Sequence, residues 1–319
     1  MQESDFVQLV ADLEIDLAHG ARAVGILGLT PVTLRILSHV SSKPAGEEAF
    51  VVYADGASAG ALTIPIRPFA ALSTDDVDVV VVASDEDKEL LLEAALPHIR
   101  GTPKVILAGY SHLTFKDSLL QDELAQLLVP SLANGYPNTI VHLYQSLANA
   151  ARLGLKGVVA EFGMFKGGTT VLLSRLVERL GMNWPVIGFD TFEGFPPRRS
   201  VLDMYAHPDC VFTDLDAVKR YCSGRNIEIV PGDIVETCER LANEDLVVTF
   251  IDTDNYTPAT AAIRIVRERT VVGGTIVFDH FTGVDRFRYT LGERFAAKTL
   301  LSDPRYFNLH GTGVFYRQR

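Results

Sequence analysis

Cysteine is scarce in this sequence, and its distribution excludes two kinds of protein. The 319 residues include three cysteines, Cys210, Cys222 and Cys238, and no two of them form a Cys-x-x-Cys pair. An odd number of cysteines without paired spacing does not indicate a disulfide framework or a thiolate zinc site. We therefore expect a reduced protein of the cytoplasm.

Long hydrophobic runs and an excess of basic residues are also missing. Apolar runs such as Val77–Ala83, which Asp78 interrupts, are far shorter than the roughly 20 residues of a membrane-spanning helix. The first residues, Met1–Asp5, lack the basic and apolar regions of a signal peptide. The net charge of −11 at pH 7 disfavours nonspecific binding to nucleic acid, which uses basic surfaces. We expect neither a membrane nor a nucleic acid as a partner.

The overall pattern is that of an α/β protein with two domains. Hydrophobic residues make up 47% of the chain and charged residues 22%, as in ordinary globular proteins. Apolar strand patterns alternate with helical patterns, which predicts parallel sheets covered on both faces. We predict a smaller Rossmann-like α/β domain at residues 1–115, followed by linker helices and a second α/β domain at residues 116–319. We also expect the chain to form a homo-oligomer.

The first domain carries only part of the pattern of a dinucleotide site. Its predicted strands lie at residues 22–29, 49–54, 77–83 and 104–108, and its predicted helices at residues 5–19, 31–40 and 85–100. The first turn, Gly25-Ile-Leu-Gly28, lacks the GxGxxG spacing, although Asp55 stands where a ribose-binding acid would occur. We favour an accessory domain that packs, dimerises or shapes a neighbouring site, with dinucleotide binding as the alternative.

The second domain begins with a strand and a glycine-rich turn, Val158–Thr170, before a helix that runs to Leu180. Glycines let a backbone approach a ligand closely, and a helix N-terminus offers free N–H groups. The turn is not a P-loop, because no GK[ST] sequence ends it. A carboxylate at Glu161 would repel a pyrophosphate and suits a cationic ligand such as S-adenosylmethionine.

Five successive predicted strands of this domain end in acidic residues. These are Glu161, Asp190, Asp233, the pair Asp252 and Asp254, and Asp279 with His280 beside it. Because parallel strands end at the same edge of a sheet, we expect these side chains to line one ligand site. Asp190 follows the glycine turn by about 20 residues, where an acid accepts ribose hydroxyls. Asp233 stands where an acid can meet an adenine amino group.

Several segments of the second domain resemble the macrocin and mycinamicin (TylF-type) O-methyltransferase family. They are Glu161–Thr170, Phe189–Pro196 (FDTFEGFP), Phe250–Tyr256 (FIDTDNY), Gly273–His280 (GGTIVFDH) and Thr312–Arg317. The segments follow the family order over about residues 135–319, and FDTFEGFP is a specific match. The resemblance implies a class I methyltransferase fold with a seven-stranded sheet whose last strand is antiparallel. It also implies a sugar hydroxyl of a natural product, such as an antibiotic, as the methyl acceptor.

The resemblance also implies a role for each matching position. The predicted cofactor-binding residues are Glu161, Gly163, Gly167, Thr169, Asp190, Thr191, Phe192 and Asp233. Phe192 could instead pack in the core. Asp252, Asp279 and His280 would hold a divalent metal, with Mg²⁺ favoured and Mn²⁺ or Fe²⁺ as alternatives. Asp252, Asp254 and His280 are the predicted catalytic residues. The metal would lower the pKa of the acceptor hydroxyl, and a carboxylate would take its proton.

One position departs from the family pattern. His280 stands where the family usually has a second acid, and imidazole favours softer metals such as Mn²⁺, Fe²⁺ or Zn²⁺. His280 could instead be a general base, or a lid residue without a metal contact. Nearby, Arg198 and Arg199 would either grip an acidic acceptor or form an exposed pair.

The sequence therefore predicts an S-adenosylmethionine-dependent, metal-assisted O-methyltransferase that acts on a glycosylated or polyhydroxylated small molecule. One alternative is a non-haem iron oxygenase similar to the cephalosporin hydroxylases, which share a similar glycine motif. The other is a non-catalytic subunit that binds S-adenosylmethionine within an assembly. Intact acids at five strand ends argue against the second alternative.

Overall fold

A computed structural model describes residues 2–41, 47–56, 64–135, 137–282 and 285–319 of the chain. Contacts divide the chain into two units, Met1–Phe115 and Lys116–Arg319, which we call unit 1 and unit 2. Each unit has its own sheet. Within the described ranges, no helix has both the length and the apolar character needed to cross a membrane.

Unit 1 is built on a sheet of five parallel strands in the order β3-β2-β1-β4-β5. The strands are β1 (Val24–Leu27), β2 (Phe50–Tyr53), β3 (Ile66–Arg67), β4 (Val79–Val82) and β5 (Lys104–Leu107). The helices are α1 (Glu3–Ala18), α2 (Pro31–Ser41) and α3 (Lys88–Ala95). All four predicted strands are present, and the two-residue strand β3 was not predicted because it is too short to show a pattern. The helix predicted at residues 85–100 is shorter, since Pro97 follows its end closely.

The Asp55 side chain, which was considered as a ribose-binding acid, has a structural partner. Its Oδ1 accepts a hydrogen bond of 3.1 Å from the N–H of Phe69, at the start of the 3₁₀ segment Phe69–Ser73. The turn after β1 is closed in a similar way, since the Thr33 hydroxyl donates to the carbonyl of Gly28. The accessory role of this domain stays a prediction.

Unit 2 contains a seven-stranded sheet in the order β11-β12-β10-β9-β6-β7-β8. The strands are β6 (Val158–Phe162), β7 (Val186–Asp190), β8 (Ile227–Pro231), β9 (Leu246–Ile251), β10 (Thr270–Phe278), β11 (Tyr306–Asn308) and β12 (Val314–Arg317). Strand β12 runs antiparallel to both of its neighbours, whereas β8, β7, β6, β9 and β10 pair in parallel. This is the class I methyltransferase topology that the family resemblance implied.

The helices of unit 2 cover both faces of this sheet. They are α4 (Ser118–Ala125), α5 (Thr139–Arg152), α6 (Gly168–Arg179), α7 (Leu215–Cys222), α8 (Ile234–Thr237), α9 (Tyr256–Arg269) and α10 (Leu291–Leu301). One apolar layer lies between the sheet and α8, α9 and α10, and the other between the sheet and α4, α5 and α6. The central strands β6 and β9 are buried along their whole length, so their ends are held rigidly.

Candidate active site

The carboxyl ends of the parallel strands of unit 2 open into one cavity of about 230 Å³. The predicted site residues that line it are Gly163, Asp190, Thr191, Asp233, Asp252, Asp254, Asp279 and His280. The structure thus brings together side chains that are spread over 118 positions of sequence, from 163 to 280. The parallel topology explains this grouping, because successive crossover connections return each strand end to the same edge.

Four of the residues predicted to bind a cofactor lie behind the cavity wall. Thr169 pairs through its hydroxyl with Ser131 at 2.7 Å, and Gly167 is the left-handed N-cap of α6. Phe192 is buried in a small apolar cluster beside Met164. The fourth residue, Glu161, is buried within β6. A contact of these four residues with the cofactor stays a prediction.

The burial of the Glu161 side chain differs from what the sequence led us to expect. Its side chain is 1% exposed and accepts a hydrogen bond from the Thr170 hydroxyl. Burial is the main cause that raises the pKa of Glu161 to about 8, and the charge of Asp190 adds to it, against the opposing hydrogen bond. This favours the neutral acid at pH 7, whereas the expectation from sequence required a carboxylate.

Gly163 allows the ends of β6 and β9 to approach each other closely. Its φ of +93° lies in the left-handed region, and a Cβ at this position would stand 2.0 Å from the carbonyl oxygen of Asp252. The Asp252 N–H in turn donates to the carbonyl of Phe162 at 2.9 Å. Only glycine accommodates both the backbone conformation and the contact.

Asp190, at the end of β7, supports two strained turns, one after β6 and the other after β7. Its Oδ2 accepts from the N–H of Phe165 at 2.8 Å, and its Oδ1 accepts from the N–H of Phe192 at 2.9 Å. Phe165 and Phe192 have φ values of 50° and 52°, which residues other than glycine rarely adopt. Burial raises the pKa of Asp190, although these hydrogen bonds oppose the shift.

The two arginines proposed to grip an acidic acceptor both have protein partners. Arg199 lines the cavity and donates to Oδ2 of Asp233 at 2.5 Å. Asp233 also caps α8, because its Oδ1 accepts from the N–H of Val235 at 2.9 Å. Arg198 instead donates to the carbonyl of Asp203 at 2.6 Å. An anionic acceptor would therefore compete with Asp233 for Arg199.

Three carboxylates surround the imidazole of His280. Its Nε2 lies 3.1 Å from Oδ1 of Asp254, 3.5 Å from Oδ1 of Asp252 and 3.5 Å from Oδ2 of Asp279. Burial alone lowers the pKa of His280, but the hydrogen bond to Asp254 and the nearby negative charges outweigh it and raise the pKa to about 9. Burial, together with the neighbouring carboxylates, also raises the pKa of Asp252 well above its usual value.

Asp252, Asp254 and His280 form the group best placed to hold a metal among the described residues. Each offers one ligand atom, and these atoms lie within 4.8 Å of one another. The sequence had predicted Asp279 in place of Asp254. Oδ1 of Asp279 accepts from the N–H groups of Gly135 at 2.9 Å and of Asn134 at 3.1 Å. Oδ2 faces His280 and also accepts from the Asn134 N–H at 3.3 Å. We call Asp252, Asp254, Asp279 and His280 the acidic cluster.

The structure adds polar residues that sequence reasoning missed. Asp203 accepts from the N–H and hydroxyl of Thr257 at 2.8 and 2.7 Å, and the Asn255 side chain exchanges two hydrogen bonds of 2.9 Å with the backbone of Tyr205. These contacts fasten the segment after FDTFEGFP to the loop after β9. No spacing rule links such distant positions.

Glu293 is the other residue that was missed. It is fully buried and lies on α10 beneath the acidic cluster. One signal was available, since Glu293 shares the buried stripe of its helix with Ala296, Ala297 and Leu300. A carboxylate on an apolar stripe requires buried partners.

The chain is similar to known proteins in both sequence and structure. The family model described as macrocin-O-methyltransferase (TylF) matches residues 137–318. Similar solved structures include the O-methyltransferase NovP, with 18% identity, a TM-score of 0.46 and coverage of 56% of this chain and 78% of that one. They also include the calicheamicin methyltransferase CalS11, with 21% identity, a TM-score of 0.44 and coverage of 68% and 98%. No curated protein matches this sequence.

Proposed function

This chain belongs to the macrocin-O-methyltransferase (TylF) family of S-adenosylmethionine-dependent O-methyltransferases, and on that basis we propose its acceptor and its metal. The acceptor is a hydroxyl of a sugar or of another polyhydroxylated small molecule made as a natural product. A divalent cation assists the transfer. The observation that carries this proposal is the acidic cluster, which lies in the same cavity as Asp190 and Asp233.

We assign the nucleoside end of S-adenosylmethionine to Asp190 and Asp233. The two oxygens of the Asp190 carboxylate accept from the N–H groups of Phe165 and Phe192, and a carboxylate offers about four lone-pair sites. Asp190 therefore retains acceptor capacity for ribose hydroxyls, as its position at the end of β7 suggested. Gly163 and Thr191 line the same cavity, and we assign them to this subsite as well.

The donor set of the acidic cluster suits a divalent cation. Three carboxyl groups lie within 3.5 Å of one imidazole nitrogen in a partly buried site, and the pKa of about 9 keeps that imidazole protonated at pH 7. A divalent cation that displaces this proton would bring two positive charges to the same carboxyl oxygens in place of one. Carboxylate oxygens with one imidazole nitrogen are compatible with Mg²⁺, Mn²⁺ and Fe²⁺. Asp252, Asp254 and His280 would hold the ion, which would supply Lewis-acid activation of the acceptor hydroxyl.

The remaining task is removal of the hydroxyl proton, and we assign it to Asp254. A general base must lie within hydrogen-bond reach of the proton that it takes. Asp254 lines the cavity and directs Oδ1 toward His280, which leaves Oδ2 as the oxygen for the acceptor hydroxyl. Transfer then depends on the alignment of acceptor oxygen, methyl carbon and sulfur, which a rigid cavity wall favours.

The test starts with calorimetric titration of S-adenosylmethionine into chelator-stripped protein, repeated with Mg²⁺, Mn²⁺ and Fe²⁺. We expect one binding site per chain, followed by turnover of glycosylated metabolites whose products gain one methylene in mass. A product that gains one oxygen atom instead would identify the iron oxygenase. Absence of S-adenosylmethionine binding with every metal would contradict the proposal. The formation of a homo-oligomer stays a prediction. Sedimentation velocity would test it, because it measures the size of the particle in solution.

A further inference from the structure

Glu293 accepts hydrogen bonds from two loops that carry the acidic cluster. Its Oε2 accepts from the N–H groups of Thr253 at 2.9 Å and of Asp254 at 3.1 Å. Its Oε1 accepts from the N–H of His280 at 3.0 Å. The first two donors belong to the loop after β9, and the third belongs to the loop after β10. One carboxylate therefore bridges the two loops.

The start of α10 packs tightly against the backbone of Leu202 and of Tyr256, the first residue of α9, and Gly292 makes this packing possible. A Cβ at Gly292 would stand 2.2 Å from the carbonyl oxygen of Leu202 and 2.8 Å from the backbone nitrogen of Tyr256. A larger residue at this position would push the helix away from the site. The absence of a side chain at Gly292 thus brings Glu293 within hydrogen-bond distance of the loop after β9.

Asp254 needs such support because its backbone is strained. Its φ of 60° is in the left-handed region, where non-glycine residues occur chiefly when the surrounding structure holds them. The hydrogen bond from the Asp254 N–H to Glu293 fixes the peptide next to this strained residue. The direction of the Asp254 side chain toward His280 follows from that backbone conformation.

We propose that Glu293 is a positioning residue that sets the geometry of Asp254 and His280 from beneath the cavity. This inference rests on the proposed function only for the role of the cluster as a metal site. The number and arrangement of acceptor oxygens explain why a glutamate is needed. A carboxylate has acceptors alone and serves three N–H donors with two oxygens, whereas the amide of glutamine would turn an NH₂ group toward one of them.

The experiment compares Glu293→Gln with Glu123→Gln in the full chain. Glu123 is also a buried glutamate of unit 2, 3% exposed, but it lies on α4 and pairs with Arg175 and Arg179. Binding of Mn²⁺ to chelator-stripped protein is measured by electron paramagnetic resonance. Hydrogen–deuterium exchange reports on the amides of residues 253, 254 and 280.

We expect Glu293→Gln to weaken Mn²⁺ binding about tenfold or more and to speed exchange at those three amides, with little change in S-adenosylmethionine affinity. Glu123→Gln should leave the metal affinity and the three amides as they are, even if the melting temperature falls. Glu293→Asp, which retains the charge but is shorter, should show a smaller loss than Glu293→Gln.

Two outcomes separate this inference from the proposed function. If the wild type binds Mn²⁺ and Glu293→Gln binds it equally well, with unchanged exchange, the positioning role is wrong and the metal site stands. If the wild type binds no divalent metal, the metal role of the cluster fails, and the exchange data decide the positioning role alone. Unchanged protection at residues 253, 254 and 280 in Glu293→Gln would overturn it.

Discussion

The Nε2 atom of His280 lies 3.1 Å from Oδ1 of Asp254. His280 is the residue that stands where the family resemblance implied a second acid. This contact places an imidazole among carboxylates at the floor of the cavity. The metal preference of the site should therefore depend on His280, because imidazole and carboxylate differ in the ions that they favour.

Exchange of the imidazole for a carboxylate should change which ion supports turnover. We expect wild-type activity to disappear with a chelator and to return more fully with Mn²⁺ or Fe²⁺ than with Mg²⁺. In His280→Asp the order should move toward Mg²⁺, a hard ion that prefers oxygen ligands. The measurement is turnover across a metal series at fixed S-adenosylmethionine. An identical metal order in both proteins would exclude His280 as a ligand.

Removal of the charge at Asp254 should affect chemistry more than cofactor binding. Asp254→Asn keeps the shape but loses the proposed base, so kcat should fall by about 10²–10⁴-fold. Asp279→Asn should also lower turnover, mainly because it disturbs the loop held by Gly135 and Asn134. Steady-state kinetics and calorimetry measure both effects. An exposed control on α7, Asp216→Asn, should behave as the wild type.

The proposed base would be wrong if Asp254→Asn retained full kcat. If Asp279→Asn lost more metal affinity than Asp254→Asn, the metal ligands would be Asp252, Asp279 and His280, as predicted from the sequence.

Loss of the carboxylate at Asp190 should weaken S-adenosylmethionine binding. Asp190→Asn removes an acceptor for the ribose and loosens the turns held by the N–H groups of Phe165 and Phe192. We expect the Kd to rise about tenfold or more, which corresponds to about 1.4 kcal/mol. Calorimetry with the metal-loaded protein measures it.

Asp78→Asn is the matched control, because Asp78 also accepts from two backbone N–H groups, those of Arg22 and Ala23 in unit 1. The control should bind S-adenosylmethionine as the wild type does. Equal affinities in the two variants would remove Asp190 from the cofactor subsite.

A side chain at Gly163 should be far more damaging than one at Gly181. Both glycines have positive φ, +93° and +72°, so an alanine at either position carries a backbone penalty of about 1–2 kcal/mol. At Gly181 no atom lies within 4 Å of the added Cβ, whereas at Gly163 the Asp252 carbonyl is 2.0 Å away. Gly163→Ala should thus lose about 3 kcal/mol or more of unfolding free energy. Denaturant unfolding checks this, and similar losses in both variants would contradict the close approach.

Low pH should remove the stabilisation that the Asp85 carboxylate gives to unit 1. Burial alone would raise the pKa of Asp85, but hydrogen bonds from the Ser111 N–H and from the Lys88 ammonium group outweigh it and lower the pKa to about 2. Because the pKa of Asp85 in the folded protein lies below the ordinary aspartate value of 3.8, the stabilisation is present above about pH 4 and is lost as the pH falls toward 2.

Asp85→Asn should therefore unfold more easily than the wild type at pH 7, by about 1 kcal/mol once solvent screening is considered. Near pH 2 the difference between the two proteins should vanish. Thermal or denaturant unfolding across this range measures it, and a constant difference at all pH values would refute the assignment to the Asp85 charge.

Local patterns were sufficient to predict the architecture of this protein. Strand β9 is a continuous apolar run, and such a run between turn residues predicts a strand buried on both faces. The acids after β7, β9 and β10 were predicted to share an edge, because parallel strands always end on the same side. To predict this shared edge, it was enough to know the order of the strands and of the helices that connect them. That order follows from the pattern of apolar and polar residues along the sequence.

Contacts between distant segments could not be predicted in this way. The sequence indicates that Glu161 is acidic and follows a buried strand, but the burial that raises its pKa comes from the layers packed around it. The roles of Asp203 and Glu293 likewise depend on partners 54 and 39–40 positions away. Hydrogen bonds of this kind leave no periodicity.

The sequence by itself determined the family, the α/β sheets and the set of acids at the strand ends. Only the tertiary structure decided which of those acids meet. It directs Asp254 toward His280, ties both oxygens of Asp279 to the backbone of residues 134 and 135, and buries Glu161 within β6. The physical reason is that strand order follows from local patterns, whereas the direction of a side chain depends on backbone strain, burial and hydrogen bonds that packing alone creates.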